Sequence, residues 1–291
     1  MKPEYILLFI LFIFNTGCKE SRARKQLLNV NIENESDQRN NVRQIFYSMY
    51  LPSEMSRMFE RAGANYNPDI PNSYDKFQQY SQHDTIAVIL GVYGVDLGYS
   101  RIFDQTLASA KYFEIIQILS EKMGIPADYY QDILLAFEEH NSNKDSLARF
   151  VAAIYGRADK YLKENEKEAY SALIIMGGWI EAVYIAYKIA EEDPDNIEMI
   201  QRIAEQKYSL NGIISLLSNY RENVSIAKNL VMLRQLKKSY DKIEIYSDQN
   251  DFKMDTVNKV ISIKDNNAEV TPELISEIGT AISIIRASIV D

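Results

Sequence analysis

The sequence predicts an all-α protein, a helical bundle organised around two apolar segments. Its 291 residues include only 11 glycines and 7 prolines, and few stretches alternate between apolar and polar positions as strands do. Most apolar positions recur instead at the spacing of one helix face. Two segments, 86–99 and 172–184, are apolar on nearly every side. That pattern is typical of helices buried in the middle of a bundle.

The two apolar segments resemble each other, which indicates an internal duplication. Asp96 aligns with Glu181 at an offset of 85 residues, and the agreement continues into the following helix at an offset of 84. We therefore predict two copies of a four-helix unit, at about 84–164 and 167–246, with flanking helices at both ends. Chance similarity is the alternative, because amphipathic helices share a composition.

The glycines of the central segments predict a close approach of the two helices. Gly91, Gly94 and Gly98 recur at nearly helical spacing, and Gly177 and Gly178 lie in the second segment. Each glycine costs about 1 kcal/mol relative to alanine inside a helix. Close backbone packing around a pseudo-twofold axis is the simplest feature that would offset this cost.

The other elements follow from apolar spacing and from breaks at proline and glycine. Residues 246–267 are polar and broken, and 256–263 within them fits either a strand or a short helix. The predicted helical stretches cover 42–62 in two pieces, 73–81, 84–101, 105–123, 127–140, 144–164, 167–192, 223–246 and 272–290. Between 193 and 223, segment 197–205 matches the second helix of the first copy, and 213–217 loosely matches its third.

Helix starts are predicted at side chains that cap free backbone amides. Asp84 and Asp104 are the predicted caps of the first two helices of the first copy. Asp193 or Asp195 is the predicted cap after the second central helix. Thr271, which a proline and a glutamate follow, is the predicted cap of the last helix.

The N-terminus has the features of a secretory signal. Lys2 precedes a nine-residue apolar core at 6–14, which is shorter than the roughly 20 residues that a spanning helix needs. The chain's one cysteine follows directly, in Asn15-Thr16-Gly17-Cys18.

This stretch resembles the lipobox of bacterial lipoproteins, in which a small residue precedes a cysteine that is lipidated and becomes the new N-terminus. Its first residue, Asn15, departs from the leucine that is usual there. The resemblance implies a signal peptide at 1–17 and acylation of Cys18, with palmitate among the acyl chains, which would anchor the protein in a lipid bilayer.

The resemblance also predicts the domain organisation and the location. Residues 18–41 would form the lipidated cysteine and a polar, flexible tether, and 42–291 a single all-α domain. Lys19 stands where inner-membrane retention favours aspartate, so the outer membrane of a bacterial envelope is favoured. The domain resembles uncharacterised helical envelope lipoproteins, which have no assigned activity.

Asp96 and Glu181 are the unusual residues of the central segments, because a buried carboxylate is unfavourable unless it is paired. The structural interpretation is that each accepts hydrogen bonds from some of the 20 tyrosines or pairs with an arginine such as Arg101, Arg149 or Arg157. The functional interpretation is that they bind a ligand, or act as general acid and base on a glycan or peptide. Two carboxylates in one open pocket would favour catalysis.

Composition argues against several other functions. Residues 1–18 are neutral and residues 19–44 carry six basic and four acidic side chains, so the net charge of −9 leaves −11 on residues 45–291. Such a body disfavours nucleic-acid binding. His83 and His140 have no second ligand at helical spacing, and no phosphate-binding loop or nucleophile motif occurs.

No metal or cofactor is therefore predicted. The prediction is a non-catalytic binding or assembly module, with an envelope protein or a glycan as its partner. The alternative is a hydrolase that uses Asp96 and Glu181.

Overall fold

The computed structural model describes Phe59 and residues 63–129, 155–194, 196–246, 252–255, 260–263 and 267–291. Within these ranges the fold is all-α, as the sequence predicts, apart from two short antiparallel ladders near the C-terminus. All of these residues belong to one unit that spans Ile45–Asp291. The predicted signal peptide, Cys18, the tether, His140, Arg149, and most of the helices predicted at 42–62 and 127–140 lie outside the described residues.

Helices make up nearly all of the described chain. A 3-10 helix at Tyr74–Gln79 replaces the α-helix predicted there, and Ala127–Tyr129 forms another. The α-helices with described bounds are α1 (His83–Ile102), α2 (Thr106–Lys122), α3 (described over 155–164), α4 (Glu168–Glu192), α5 (Ile197–Ser218), α6 (Val224–Asp241) and α7 (Pro272–Val290).

The two central helices of the prediction are α1 and α4, and they pack against each other more extensively than any other pair described. Val88–Val92 and 171–183 are buried without a break. The surrounding helices complete the core, since α2 packs on α1, α5 on α4, and α7 against both α4 and α6. The prediction that these two apolar segments are buried helices is confirmed.

Glycine allows the backbones of α1 and α4 to touch. A Cβ added at Gly91 would collide with the carbonyl oxygen of Ile174, and one added at Gly177 would collide with the carbonyl oxygen of Val88. These two contacts are reciprocal, since Gly177 follows Gly91 by 86 positions and Ile174 follows Val88 by the same number. The predicted close approach is confirmed here but not at Gly98, where an added Cβ would meet nothing within 4 Å.

Contacts along the pair show that α1 and α4 run parallel. The rings of His83 and Tyr170 lie 6.0 Å apart at the two N-terminal ends, and further along both helices Gly91 lies against Ile174 and Gly178. By length and composition alone, each helix is apolar enough to cross a membrane. Because 78% and 83% of their most apolar windows are buried inside the protein, these windows face other helices of the fold.

Three predicted helix caps are wrong. The carboxylate of Asp84 accepts hydrogen bonds from Asn223 Nδ2 at 3.2 and 3.3 Å instead of capping α1. Asp104 has φ 56°, a left-handed conformation that turns the chain between α1 and α2. Asn196, rather than Asp193 or Asp195, caps α5 by accepting from the Met199 amide at 3.0 Å. Each of these aspartates lies within three residues of the observed N-cap position. At that distance side-chain chemistry alone does not show which residue caps the helix.

Two end signals are confirmed. Gly124 ends α2 with φ 77°, and the amide of Ile125 donates back to the Ser120 carbonyl at 3.0 Å, as in a Schellman motif. At the other end of the chain, Thr271 Oγ1 accepts from the Leu274 amide at 3.3 Å. Proline follows in the first turn of α7, which suits a position whose amide has no helical partner.

The second predicted copy holds three helices rather than four. The segments 197–205 and 213–217, which the repeat matches to two separate helices of the first copy, both lie in the continuous helix α5. The helix predicted at 223–246 ends at Asp241. The four-helix form of the repeat is therefore wrong for 167–246.

The chain between α6 and α7 contains short strands. Strand β1 (Glu244–Tyr246) pairs antiparallel with β4 (Asn267–Glu269), and β2 (Phe252–Asp255) pairs antiparallel with β3 (Val260–Ile263). Of the two states predicted within 256–263, the strand is confirmed over the last four residues. The other three strands were not predicted, since three or four residues are too few to show a period.

Replacing Gly91 or Gly177 by alanine forces α1 and α4 apart, because each new methyl group meets backbone rather than a movable side chain. We expect each substitution to lower the free energy of unfolding by about 3 kcal/mol or more, and by similar amounts. Urea unfolding followed by the fluorescence of Trp179, the one tryptophan, which is fully buried on α4, measures this loss.

The matched control is Gly98→Ala, on the same helix, where no atom of the described residues lies within 4 Å of an added Cβ. Alanine there gains up to about 1 kcal/mol from helix propensity. A loss at Gly98 as large as that at Gly91 would show that glycine matters for α1 itself and not for the crossing with α4.

Candidate functional site

Asp96 and Glu181 come together in the interior, where α1, α4 and α7 meet. Both side chains are fully buried, with 0% exposure. Because a helix has 3.6 residues per turn, Asp96 lies on the same side of α1 as Val92 and Tyr99. On that side Asp96 faces α4. The sequence predicted these two acids as a pair, and the structure places them in one cluster.

Arg286 on α7 provides the positive charge of the cluster. Its Nε donates to Glu181 Oε2 at 2.8 Å and its Nη2 donates to Glu181 Oε1 at 2.9 Å, in a bidentate pair. The guanidinium also lies 4.3 Å from the ring centre of Tyr184, and the side chain is only 12% exposed. Burial lowers the pKa of Arg286, but the charge and hydrogen bonds of Glu181 raise it by more.

Asp96 completes the cluster as a neutral acid. Burial, followed by the negative charge of Glu181, raises its pKa well above the usual value, and Arg286 opposes the shift less strongly. Oδ2 accepts from the Asn72 amide at 3.2 Å, whereas Oδ1 is buried with no donor among the described groups. Two carboxyl groups share a hydrogen bond only when one carries a proton, so the Asp96 proton bonded to Glu181 leaves both satisfied.

The cluster also holds a polar loop inside the fold. The loop, residues 67–73, has buried residues at 70–72 and needs partners for its backbone groups. Arg286 Nη2 donates to the Ile70 carbonyl at 3.3 Å, and Asp96 takes the Asn72 amide. Tyr112 donates its hydroxyl to the Asn72 carbonyl at 2.9 Å.

Two more tyrosines hold the ends of the loop. Tyr93 donates its hydroxyl to the Ser73 carbonyl at 2.9 Å, and the Tyr99 hydroxyl accepts from the Asn67 amide at 3.0 Å. Burial raises the pKa of Tyr99 to about 12, and it raises the pKa of Tyr93 as well. These hydroxyls therefore stay protonated. The tyrosines bond the loop, whereas the sequence analysis had suggested that they bond the two acids.

The arginine partner was missed from the sequence. Arg157 donates to the Tyr129 carbonyl at 3.3 Å, and Arg286 is the residue that pairs with Glu181. One signal was present, because Arg286 follows Ile282 by four residues and so lies next to the inward stripe of α7. That position marks a basic residue near the core, but it does not indicate which acid it meets.

This geometry does not suit acid–base catalysis on a glycan or peptide. Such catalysis needs both carboxyl groups beside a substrate and, in hydrolysis, beside water. Here Asp96 and Glu181 have no exposed surface, and their oxygens bond to Arg286, to the loop and to each other. The cluster favours the structural interpretation, in which it fixes helices and supports a buried loop.

A small apolar cavity lies on the other side of α1. Its volume is about 50 Å³, and Leu90, Gly94, Phe113 and Tyr155 contribute to its wall. Ligand pockets of roughly 300–1,000 Å³ hold small organic molecules. The cavity has room for little more than a few water molecules.

Within the described ranges, no three His, Cys, Asp or Glu side chains lie together as a metal site would require. His83 is exposed, and its Nε2 lies 3.2 Å from the Lys122 carbonyl. Comparison with known protein families, curated proteins and solved structures finds no match to this chain.

Asp96→Asn should preserve the fold, because an amide donates to Glu181 and accepts from the Asn72 amide in place of the protonated acid. The raised pKa means that the native chain holds the Asp96 proton more tightly than the unfolded chain. The stability that this proton contributes is full below pH 3.8, the ordinary pKa of aspartate. It is lost as the pH rises through the raised pKa of Asp96 in the native chain. Urea unfolding from pH 4 to pH 9 should therefore show the wild type losing stability relative to the Asn variant. An Asn variant that loses stability relative to the wild type at high pH would mean that Asp96 is ionised in the fold.

Glu181→Gln leaves Arg286 buried without its counter-charge, so we expect a loss of about 3–5 kcal/mol in the free energy of unfolding. The double variant Glu181→Leu/Arg286→Met removes both charges and should lose less than the sum of its two single substitutions. Lys242→Met, at the exposed pair with Glu277, is the control and should change stability little. Additive losses in the double variant would show that the pair has no coupling.

Proposed function

We propose that this chain is a lipid-anchored envelope protein of bacteria that acts as a non-catalytic binding or assembly module. The resemblance of Asn15-Thr16-Gly17-Cys18 to a lipobox supports the anchor, together with the basic start and short apolar core that precede it. Acyl chains on Cys18 would hold the chain in a bilayer, since each buried CH₂ contributes about 0.8 kcal/mol.

The burial of Asp96 and Glu181 carries the non-catalytic part of the proposal. These were the best acid–base candidates in the sequence, and their oxygens are committed to Arg286 and to the loop at 67–73. A fold that uses the buried charge cluster of its described residues for packing leaves binding to its outer surfaces. The hydrolase alternative has no comparable support.

The location and the partner follow from the same reasoning. Lys19 after the lipidated cysteine favours the outer membrane, and residues 18–41 would act as a tether that holds the domain away from the bilayer. On such a tether the domain meets other envelope components at high effective concentration. The partner in this proposal is an envelope protein or a glycan.

A duplicated helical unit is the proposed origin of the fold. Its support is the resemblance of 86–99 to 172–184, in which Asp96 aligns with Glu181. The reciprocal contact of Gly91 with Ile174 and of Gly177 with Val88 lies one residue out of that alignment. The hairpins α1–α2 and α4–α5 also follow each other in the same order. In this proposal the second copy has one helix fewer, because its second and third helices joined to form the continuous helix α5. Very unequal effects of alanine at Gly91 and Gly177 would count against the symmetry.

Cys18→Ser removes the proposed site of lipidation. In cells fed labelled palmitate, the wild type should carry the label and sediment with membranes, whereas the variant should lack the label and be found in the soluble fraction after release by mild lysis. Ala110→Ser, at an exposed position of α2, leaves the N-terminus unchanged and serves as the labelling control. Label that persists on the Cys18→Ser chain would contradict the anchor.

The absence of catalysis is tested separately on the purified protein. Incubation with peptidoglycan fragments and with envelope peptides should leave both unchanged. Hydrolysis by the wild type that disappears in the folded Asp96→Asn variant would overturn the non-catalytic proposal and support the hydrolase.

A further inference from the structure

The outer face of α6 differs from the rest of this acidic protein. Val224 and Val231 are 85% and 68% exposed, although valine normally lies inside. Lys228, Arg234 and Lys238 are exposed on the same side, because these five positions recur at intervals of three or four residues. We call these five residues the α6 face.

The charge of this helix is opposite to that of the chain. Residues 228–242 contain five basic side chains and one acid, Asp241, in a protein with a net charge of −9. Asp241 pairs with Lys237, and Lys242 pairs with Glu277 of α7 at 2.7 Å. In the described part of the chain, Lys228 and Lys238 make no ion pair, so their charges face outward.

The neighbouring helices leave the α6 face uncovered by acids. The helix α7 packs beside α6, where Ser288 Oγ approaches Met232 Sδ at 3.6 Å. Between 278 and 285, α7 has no charged residue, and Ile284 is 66% exposed. On the other side, residues 207–218 of α5 contain one charged residue, Lys207. Over these two stretches the surface beside α6 is thus basic and apolar, and the nearby acids are each paired with a cation: Asp241 with Lys237, Glu277 with Lys242, and Glu222 with Arg221.

We propose that the α6 face docks the domain onto the anionic headgroups of a lipid bilayer. Lysine and arginine near such a surface are attracted to its negative potential, and exposed valines enter the boundary between headgroups and acyl chains. Docking rests on the proposed anchor for its strength, because a tether on Cys18 raises the local concentration of bilayer around the domain.

Charge complementarity favours a bilayer over a nucleic acid. Strong nucleic-acid binding uses about 6–10 phosphate contacts, whereas the α6 face has three basic side chains on one convex helix. A bilayer needs no groove and accepts apolar side chains between cations. Because the net charge of the chain is −9, an anionic surface repels the protein as a whole and attracts the α6 face, which orients the domain with α6 toward the membrane.

The experiment uses the full, acylated chain in vesicles with an environment-sensitive fluorophore at Val231→Cys. Acylation occupies Cys18, so the new thiol is labelled selectively. In phosphatidylglycerol vesicles the emission should shift to the blue and be quenched by brominated lipid, and both effects should disappear in 1 M salt, where the Debye length is about 3 Å. In phosphatidylcholine vesicles neither effect should occur.

Two controls separate docking from anchoring. A label at Leu107→Cys, an exposed apolar site on α2, should stay in water in both vesicles. Lys228→Glu/Lys238→Glu should abolish the shift at Val231, whereas Lys122→Glu/Lys160→Glu, with the same net charge change on α2 and α3, should not.

Flotation with phosphatidylcholine vesicles reports the anchor by itself. A chain that fails to float there lacks the anchor, and the label is then measured with excess phosphatidylglycerol vesicles, where binding depends on α6 alone. A label at Val231 that remains in water on phosphatidylglycerol vesicles, or that shifts equally at Leu107, overturns the docking proposal whether or not the anchor is present.

Discussion

The interior of this protein depends on the bidentate pair between Arg286 and Glu181. This pair joins the last helix to a central helix across 105 positions of sequence. Glu181 also lies beside Asp96, and Arg286 and Asp96 together hold the backbone of the loop at 67–73. A single guanidinium thereby sets the positions of α1, α4, α7 and a buried loop.

The pair contributes specificity more than stability. Replacing a buried ion pair by well-packed apolar residues is often neutral or favourable, whereas removing one partner is strongly unfavourable. The glycine contacts at Gly91 and Gly177, each against a backbone carbonyl of the other helix, determine how closely α1 and α4 approach. The hydrogen bonds of the acid cluster are directional, so they select one register of the two helices from those that the glycines allow.

A consequence for function is that the interior and the surface have separate roles. The charged groups of the core are neutralised in place, because Asp96 keeps its proton and Glu181 has Arg286. Recognition is then left to exposed elements, of which α6 is the most distinctive, with its cations and valines on one side. If the domain is tethered as proposed, its one described cationic helix face gives it a physical means of orienting itself at an anionic surface without any deep pocket.

The sequence by itself determined the class of the fold, the two central helices, the acid pair and the start of α7 at Thr271. These are local properties, since periodicity shows which helices are apolar on all sides and a cap acts on the amides next to it. Only the tertiary structure decided that Arg286 pairs with Glu181, that tyrosines bond a loop instead of the acids, and that Val231 faces water. The partner of a buried charge lies far away in sequence, and an apolar residue on a helix is buried only if another element covers it. Neither condition is written in the local pattern of residues.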